Sequence, residues 1–447
     1  MNKTSIRIGA GAGYAGDRIP PAVELARHGQ LDYLVFECLA ERTIALAQLE
    51  RRQQPDKGFD PLLAERMRAV LPVCMAQGTR IISNMGAANP LQAGHEVLRV
   101  AKEMGLQGVK VAVVQGDDVL KRLLTDGLDL PLIDSDAPLS SLQDRLISAN
   151  AYLGADALLP ALQTDAQVIL CGRVADPALF LAPLMHHFGW AATDWPQLGQ
   201  GILVGHLLEC AGQITGGYFA DPGFKGVPNL ARLGFPLAEV QADGSAVITK
   251  VNGSGGCVTV ATCTEQLLYE IENPARYLQP DVVADFSQVR LTPDGADRVR
   301  ATGANGQQRP DTLKVTVGYH DGYIGEGQMG YAGPGCVARG QLALELVRQR
   351  LQDAGLGQLE ARYELIGVNS LLPQAQATTE PNEVRLRVAV RSPARQQAQL
   401  VANEVEALYT NGPAAGGGAT KSVREVVAAA AVLVPRGWAQ PDVTLLG

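Results

Sequence analysis

The sequence predicts an α/β protein: a mostly parallel sheet with helices on both faces over residues 1–212, followed by a mixed α+β region over residues 213–447. Three observations carry that expectation. Short apolar runs alternate with longer helical patterns through the first half, which is the signature of βαβ units. Runs such as Val109-Lys110-Val111-Ala112-Val113-Val114 are apolar on both faces near their centres, as a sheet covered on both sides requires. After Gly212 the texture shifts to Gly, Thr and Val, punctuated by Asp243-Gly244, Asn252-Gly253, Asp294-Gly295, Asn305-Gly306 and Asp321-Gly322. Such pairs between alternating segments mark hairpins.

Taken in order, residues 6–9 read as the first strand. Asp17 is placed to cap a helix that opens at Pro20-Pro21, where proline is tolerated in a first turn. Residues 33–37 form the second strand, with helices to about residue 52 and over 61–77. Strands over 80–83, 108–114 and 167–171 follow, with a helix over 90–104. In the second half a helix is expected over 265–272. The last hundred or so residues return to helix (339–353), strand (385–390), helix (393–409) and strand (423–434), with a glycine-rich loop over 412–418. No internal repeat and no disordered linker is visible.

The bulk numbers bound the class. At 447 residues the chain is long enough for more than one core. A hydrophobic share of 46% with 19% charged residues is that of a globular protein rather than a disordered one. A net charge of −8 and the lack of any basic run oppose nucleic-acid binding. The seven cysteines form no C-x-x-C pair and read as buried thiols in a reducing compartment. No signal-like apolar segment precedes the first strand, and the longest apolar run, 426–434, is far short of the roughly 20 residues a bilayer span needs. The expectation is a soluble, cytoplasmic homo-oligomer that binds a small molecule and neither nucleic acid nor membrane.

Six segments hold the residues that could carry chemistry. In GAGAGYAGDR (9–18), Gly11, Gly13 and Gly16 satisfy G-x-G-x-x-G between a strand and a helix, with the acidic Glu37 about 20 residues on. That is formally a dinucleotide fingerprint. Asp17 and the proline pair weaken it, because Asp17 would repel a phosphate. A turn that shapes a substrate pocket and a purely structural tight turn are the alternatives. In Glu37-Cys38-Leu39-Ala40-Glu41 the two carboxylates have the spacing of one helix face, and Glu37 falls at a strand's carboxyl end, where open sheets bind ligands. Asn84 and Asn89 in SNMGAANP (83–90) offer neutral amides that could orient a carbonyl, or simply start a helix.

In GRVADP (172–177), Arg173 could clamp an anion bidentately, while Asp176 could cap the next helix or pair with Arg173. His206 and Glu209, three apart, could form an oriented general base. The same spacing suits a metal pair, but no third ligand suggests itself and no metal is expected. Lys250, beside Gly253-Ser254-Gly255-Gly256, is a candidate anion partner. No nucleophile elbow, Walker A loop or S-x-x-K motif is present.

Across these segments, and in EQLLYEIENPARYLQPDV (265–282) and VEALYTNGPAAGGG (405–418), the chain resembles the acyclic terpene utilisation family AtuA. The resemblance runs in order along essentially the whole chain. It implies a setting among catabolic steps for branched or terpenoid acids carried as coenzyme A thioesters, and a hydratase or lyase role. Longer relatives end in a small ferredoxin-like domain, which implies a separate small ferredoxin-like partner protein here. No residue set carries over from the family. The resulting expectation is a lyase or hydratase acting on a small carboxylate or its acyl-CoA thioester, with no cofactor beyond coenzyme A as part of the substrate. In it Arg173 clamps the anion, Asn84 orients the carbonyl, and Glu37 or the His206/Glu209 pair moves the proton, with Asp17 as a further acid. Gly11, Gly13, Asn89, Asp176 and Lys250 complete the binding set. An NAD(P)-dependent oxidoreductase and a non-catalytic subunit of a complex are the alternatives.

Overall fold

The computed structural model describes residues 4–135, 137–372 and 379–447. The chain forms two compact units, residues 1–318 with 429–447, and residues 319–428.

The first unit is built on one mixed sheet. Its strands, in chain order, are β1 (Ser5–Ala12), β2 (Tyr33–Phe36), β3 (Arg80–Ser83), β4 (Val111–Gln115), β5 (Val168–Cys171), β6 (Pro236–Gln241), β7 (Ala246–Lys250), β8 (Arg290–Pro293), β9 (Val299–Thr302) and β10 (Asp442–Leu446). They lie in the order β8-β9-β7-β6-β1-β2-β3-β5-β4-β10. The five central strands, β1-β2-β3-β5-β4, are parallel. All other neighbours run antiparallel. The parallel strands are apolar on both faces because helices cover both. Ile6, Ile8, Leu34, Val35, Ile81, Ile82, Val113, Ile169 and Leu170 are all fully buried. The texture change near Gly212 falls inside this unit: β6 and β7 follow it and extend the same sheet from the edge of β1.

Most expected elements are present, and the exceptions have local causes. The helix expected over 265–272 is Val260–Leu268, started by a Thr259/Thr262 capping box and ended before Glu270, whose φ of 57° is left-handed. Asp243-Gly244 and Asp294-Gly295 do join hairpins, β6 to β7 and β8 to β9. Asn252-Gly253 is a turn that joins no paired strands. Asn305-Gly306 lies within the strand Asn305–Gln307, and Asp321-Gly322 within the 21-residue strand Thr312–Ala332. The strand Leu146–Ala151 was hidden by its polar residues: Ser148 and Asn150 are buried, and Asn150 donates to Asp117 at 2.8 Å.

The second unit holds the strands Ala361–Ile366 and Glu383–Ser392, residues 319–332 of the strand Thr312–Ala332 and residues 417–428 of the strand Gly417–Pro435, which neighbour one another in that order. The helices Cys336–Asp353 and Arg395–Glu406 pack on this sheet through a core that includes Met329, Val347, Leu386, Val388, Val401 and Val405. All seven cysteines are free thiols. Among the described residues no helix is long and apolar enough to cross a membrane.

Candidate active site

A cavity of about 880 Å³ opens at the carboxyl ends of the parallel strands. Gly13, Asp17, Glu37, Glu41 and Asp176, which line it, follow β1, β2 and β5 directly. Glu209, Glu270, Tyr277 and Gln279 enter from the segments after the helices Trp195–Leu208 and Val260–Leu268. Strand ends of an open parallel sheet are where backbone and loops leave a crevice, and a volume of this size suits a substrate of about drug size or larger.

The glycine turn after β1 is shaped by the protein itself. A Cβ on Gly13 would lie 2.5 Å from the Cys210 backbone, and one on Gly11 would strike the Phe36 ring at 2.7 Å. Asp17 does not cap the helix Pro20–His28, which starts with no side-chain cap. Its carboxylate instead accepts from Gly13 N–H at 2.9 Å and Arg18 N–H at 2.7 Å. These are donors a pyrophosphate would use, and the turn's own carboxylate holds them. The buried Arg66, on the helix Leu63–Gln77, fixes the turn from below through Ala15 O (2.9 Å) and Asp17 O (3.2 Å). Gly13→Ala is expected to destabilise the fold by about 1–3 kcal/mol, as overpacking against backbone does. Denaturant melts of the variant and wild type measure it, and an unchanged midpoint would contradict the close approach.

Glu37 and Glu41 do not share a helix face, because the helix Glu41–Gln53 begins only at Glu41. The extended link between them nevertheless brings both carboxylates to the cavity in opposite electrostatic states. Glu37 is buried, and its Oε1 accepts from Leu39 N–H (2.8 Å) and Asn84 Nδ2 (2.9 Å). Burial first, and then the nearby Asp176 carboxylate, push its pKa up to about 8 against the opposing pull of Arg173. Burial acts on Glu41 too, but the hydrogen bond from Tyr152 Oη and the charge of Lys314 outweigh it and hold its pKa at about 2. At neutral pH one is a carboxylic acid and the other a carboxylate, the division of labour acid–base chemistry needs.

Arg173 is fully buried and does not reach the cavity. It donates to Leu39 O, to Val174 O (2.9 Å from Nε) and to Asp176, and its guanidinium stacks 4.4 Å from the Tyr152 ring centroid. Its side chain is therefore committed to three strand-end segments rather than to an external anion. Asp176 pairs with it instead of capping the helix Ala178–Phe188, whose N-cap is Pro177. Burial raises the Asp176 pKa despite Arg173.

His206 and Glu209 meet as their spacing suggests, with Nδ1 3.0 Å from Oε1. The other ring nitrogen lies 3.2 Å from Leu267 O, and the ring packs edge-on against Tyr277 at 5.5 Å. His206 is buried behind Glu209, and Glu209 is the member that lines the cavity. Burial raises the Glu209 pKa to about 7 although His206 opposes it, and Oε2 is buried with no hydrogen-bond partner. Among the described residues no group of three or more His, Cys, Asp or Glu is arranged to hold a metal ion.

The family model for the acyclic terpene utilisation family protein AtuA matches residues 6–445. The chain belongs to the AtuA family. That membership implies a role in acyclic terpene utilisation. No curated protein matches the chain. Among solved structures, it is similar at 10% identity to a homoserine dehydrogenase from Thiobacillus denitrificans, over 91% of this chain and 83% of that one, with a TM-score of 0.15. A likeness so low bears on neither fold nor chemistry.

The remaining candidates of this AtuA-family chain lie away from the cavity. Asn84 touches it only through Glu37, accepting from Cys38 N–H at 2.7 Å. Asn89 donates to Pro55 O and Lys57 O at 2.9 and 2.8 Å and tethers a loop. Lys250 donates to Ser254 O at 2.8 Å and pairs with Asp297 at 3.1 Å, outside the lining. Sequence reasoning passed over Tyr152, Glu270, Tyr277, Gln279 and Lys314 as lining residues. They come from segments far apart in the chain and belong to no local motif. Only Glu41, four residues after Glu37, carried a readable signal.

Proposed function

We propose that this protein is a lyase or hydratase that adds water to, or removes it from, a branched acid carried as its acyl-CoA thioester. The observation that supports this most is one cavity lined by Glu37 and Glu209, with pKa values raised to about 8 and about 7, beside an ionised Glu41. Water addition needs a base to take a proton from water as its oxygen bonds the carbon β to the carbonyl. It also needs an acid to protonate the α carbon. Glu209, backed by His206, suits the first role and Glu37 the second. After the step Glu209 holds the proton and Glu37 is ionised; exchange with solvent restores both, and the reverse sequence expels water.

The anion-holding role that residue type assigned to Arg173 passes to Arg18 and Lys314, both exposed lining residues. They can meet the charged end of a thioester while its acyl chain lies among Leu39, Leu233, Phe235 and Leu278. This reading is preferred to nicotinamide chemistry because Asp17 occupies the turn's amides.

A thermal-shift panel tests it, using NAD(H), NADP(H), coenzyme A, several acyl-CoA esters and small di- and tricarboxylates. A ligand at a hundred times its Kd stabilises the native state by about 2.7 kcal/mol. Thioesters are expected to shift the melt and nicotinamides are not; a shift with nicotinamides alone would overturn the proposal. The pair Glu37/Glu209 also predicts a bell-shaped rate profile, rising through about pH 7 as Glu209 ionises and falling through about pH 8 as Glu37 does. A rate flat from pH 6 to 9 would exclude this assignment.

A further inference from the structure

Strand register sets Glu37 and Asn84 side by side. β2 and β3 run parallel with Phe36 opposite Ser83, so the next residue on each comes to the same level at the carboxyl ends. Asn84 is fully buried, and its amide is held from two directions. Cys38 N–H donates to Oδ1 at 2.7 Å, and Nδ2 donates to Glu37 Oε1 at 2.9 Å. A backbone N–H can only donate, so the amide cannot turn over and Nδ2 must face the carboxyl. Leu39 N–H gives Oε1 a second bond at 2.8 Å, and Arg173 holds the other end of that peptide group through Leu39 O. Oε1 thus takes two donors that cannot accept in return, and a proton on it would have to displace one of them. Oε2 is the oxygen left to carry the proton of this cavity-lining carboxyl.

We infer that Asn84 is the positioning residue of the acid: with Leu39 it occupies Glu37 Oε1, so the proton sits on Oε2 and leaves from that oxygen into the cavity. This rests on the acid assigned to Glu37 above, and it replaces the carbonyl-orienting role that residue type suggested for Asn84. The bond also tunes the acid. Burial and the Asp176 carboxylate raise the Glu37 pKa, while Arg173, Leu39 N–H and Asn84 Nδ2 restrain the rise. Asn84 therefore helps to keep the proton available near neutral pH, where an acid catalyst is most effective.

The test is carboxyl NMR of protein carrying 13C at glutamate Cδ, with Glu37→Gln identifying the Glu37 signal. In the wild-type protein that signal is expected to titrate with a midpoint of about 8. Asn84→Leu and Asn84→Ala both remove the donor to Oε1 and leave Asp176 and Arg173 in place, so the midpoint is expected to rise by at least about half a pH unit. A mere loop tether would cost stability and leave the midpoint where it is; that result in a folded variant would overturn the inference. The wild-type protein gives a second reading with no variant to fold. Its Asn84 Nδ2 protons are expected to shift with the Glu37 midpoint, and protons that stay still would overturn the inference too. Hydration of 2-octenoyl-CoA links the bond to catalysis, because the basic limb of its kcat/KM profile should move upward with the midpoint. A limb that stays while the midpoint moves would overturn the role in the acid. A midpoint that moves in a protein that hydrates no thioester would uphold the proton's placement while removing the hydratase reading on its own.

Discussion

Replacing Glu37 by Gln is expected to lower turnover by about a hundredfold or more while leaving the protein folded. The loss is the scale of a removed general acid. The amide keeps an oxygen for Leu39 N–H and Asn84 Nδ2, and it resembles the protonated carboxyl that burial favours. The same variant has a signature in stability. A carboxyl with a folded pKa of about 8 against an ordinary value of 4.5 binds its proton more tightly in the native state. Its contribution is complete below the ordinary carboxylate range and disappears as pH rises through about 8. Wild-type stability should therefore fall by roughly 1–3 kcal/mol between pH 6 and pH 8 on this account, since each pH unit is worth about 1.4 kcal/mol per proton. Glu37→Gln should flatten that slope. Urea melts at the two pH values decide the second point and steady-state kinetics the first. Full activity in a folded variant would move the acid elsewhere in the cavity.

Arg173→Met is expected to cost about 3–5 kcal/mol of stability, the range for removing one partner of a buried ion pair. Three losses coincide. Asp176 loses its counter-charge, Leu39 O and Val174 O lose their donors, and the Tyr152 ring loses its cation. Lysine should not rescue it, because three donors on a point charge cannot replace a planar fork that serves three directions. An Arg173→Lys midpoint equal to wild type would show that charge alone matters at this position. If Arg173→Met folds normally yet loses affinity for anionic ligands, the clamp role would return to Arg173.

The contrast between these two residues shows what could be read from the chain. The parallel core was legible because helices on both faces force continuous apolar runs, as in Val111–Gln115 and Val168–Cys171. The loops at its strand ends followed from that, and so did the proximity of His206 and Glu209, a matter of helical spacing. Residue type makes Arg173 a clamp candidate but cannot tell whether a guanidinium faces a cavity or the carbonyls of its own loops, and here it meets Leu39 O and Val174 O. Asp17 likewise has the residue type of a cap, yet its carboxylate meets the amides of its own turn. The strand Leu146–Ala151 escaped because its inward residues Ser148 and Asn150 are polar, and the 21-residue strand Thr312–Ala332 because Asp321-Gly322 imitates a turn. Gln279 and Tyr152 reach the cavity through long-range packing, which no local pattern reports.

The outer strand of the main sheet on the β4 side, β10, is formed by residues 442–446, pairing Val443 with Val114 and Leu445 with Ala112. The first unit thus borrows its final strand from beyond the second. On a ribosome, β4 is made more than three hundred residues before the segment that covers it, so its backbone edge waits unpaired while the rest of the chain emerges. Exposed strand edges are templates for pairing with other chains. Residues 442–446 therefore cover the β4 edge, and their deletion should show itself as aggregation during synthesis, before any loss of activity can be assayed.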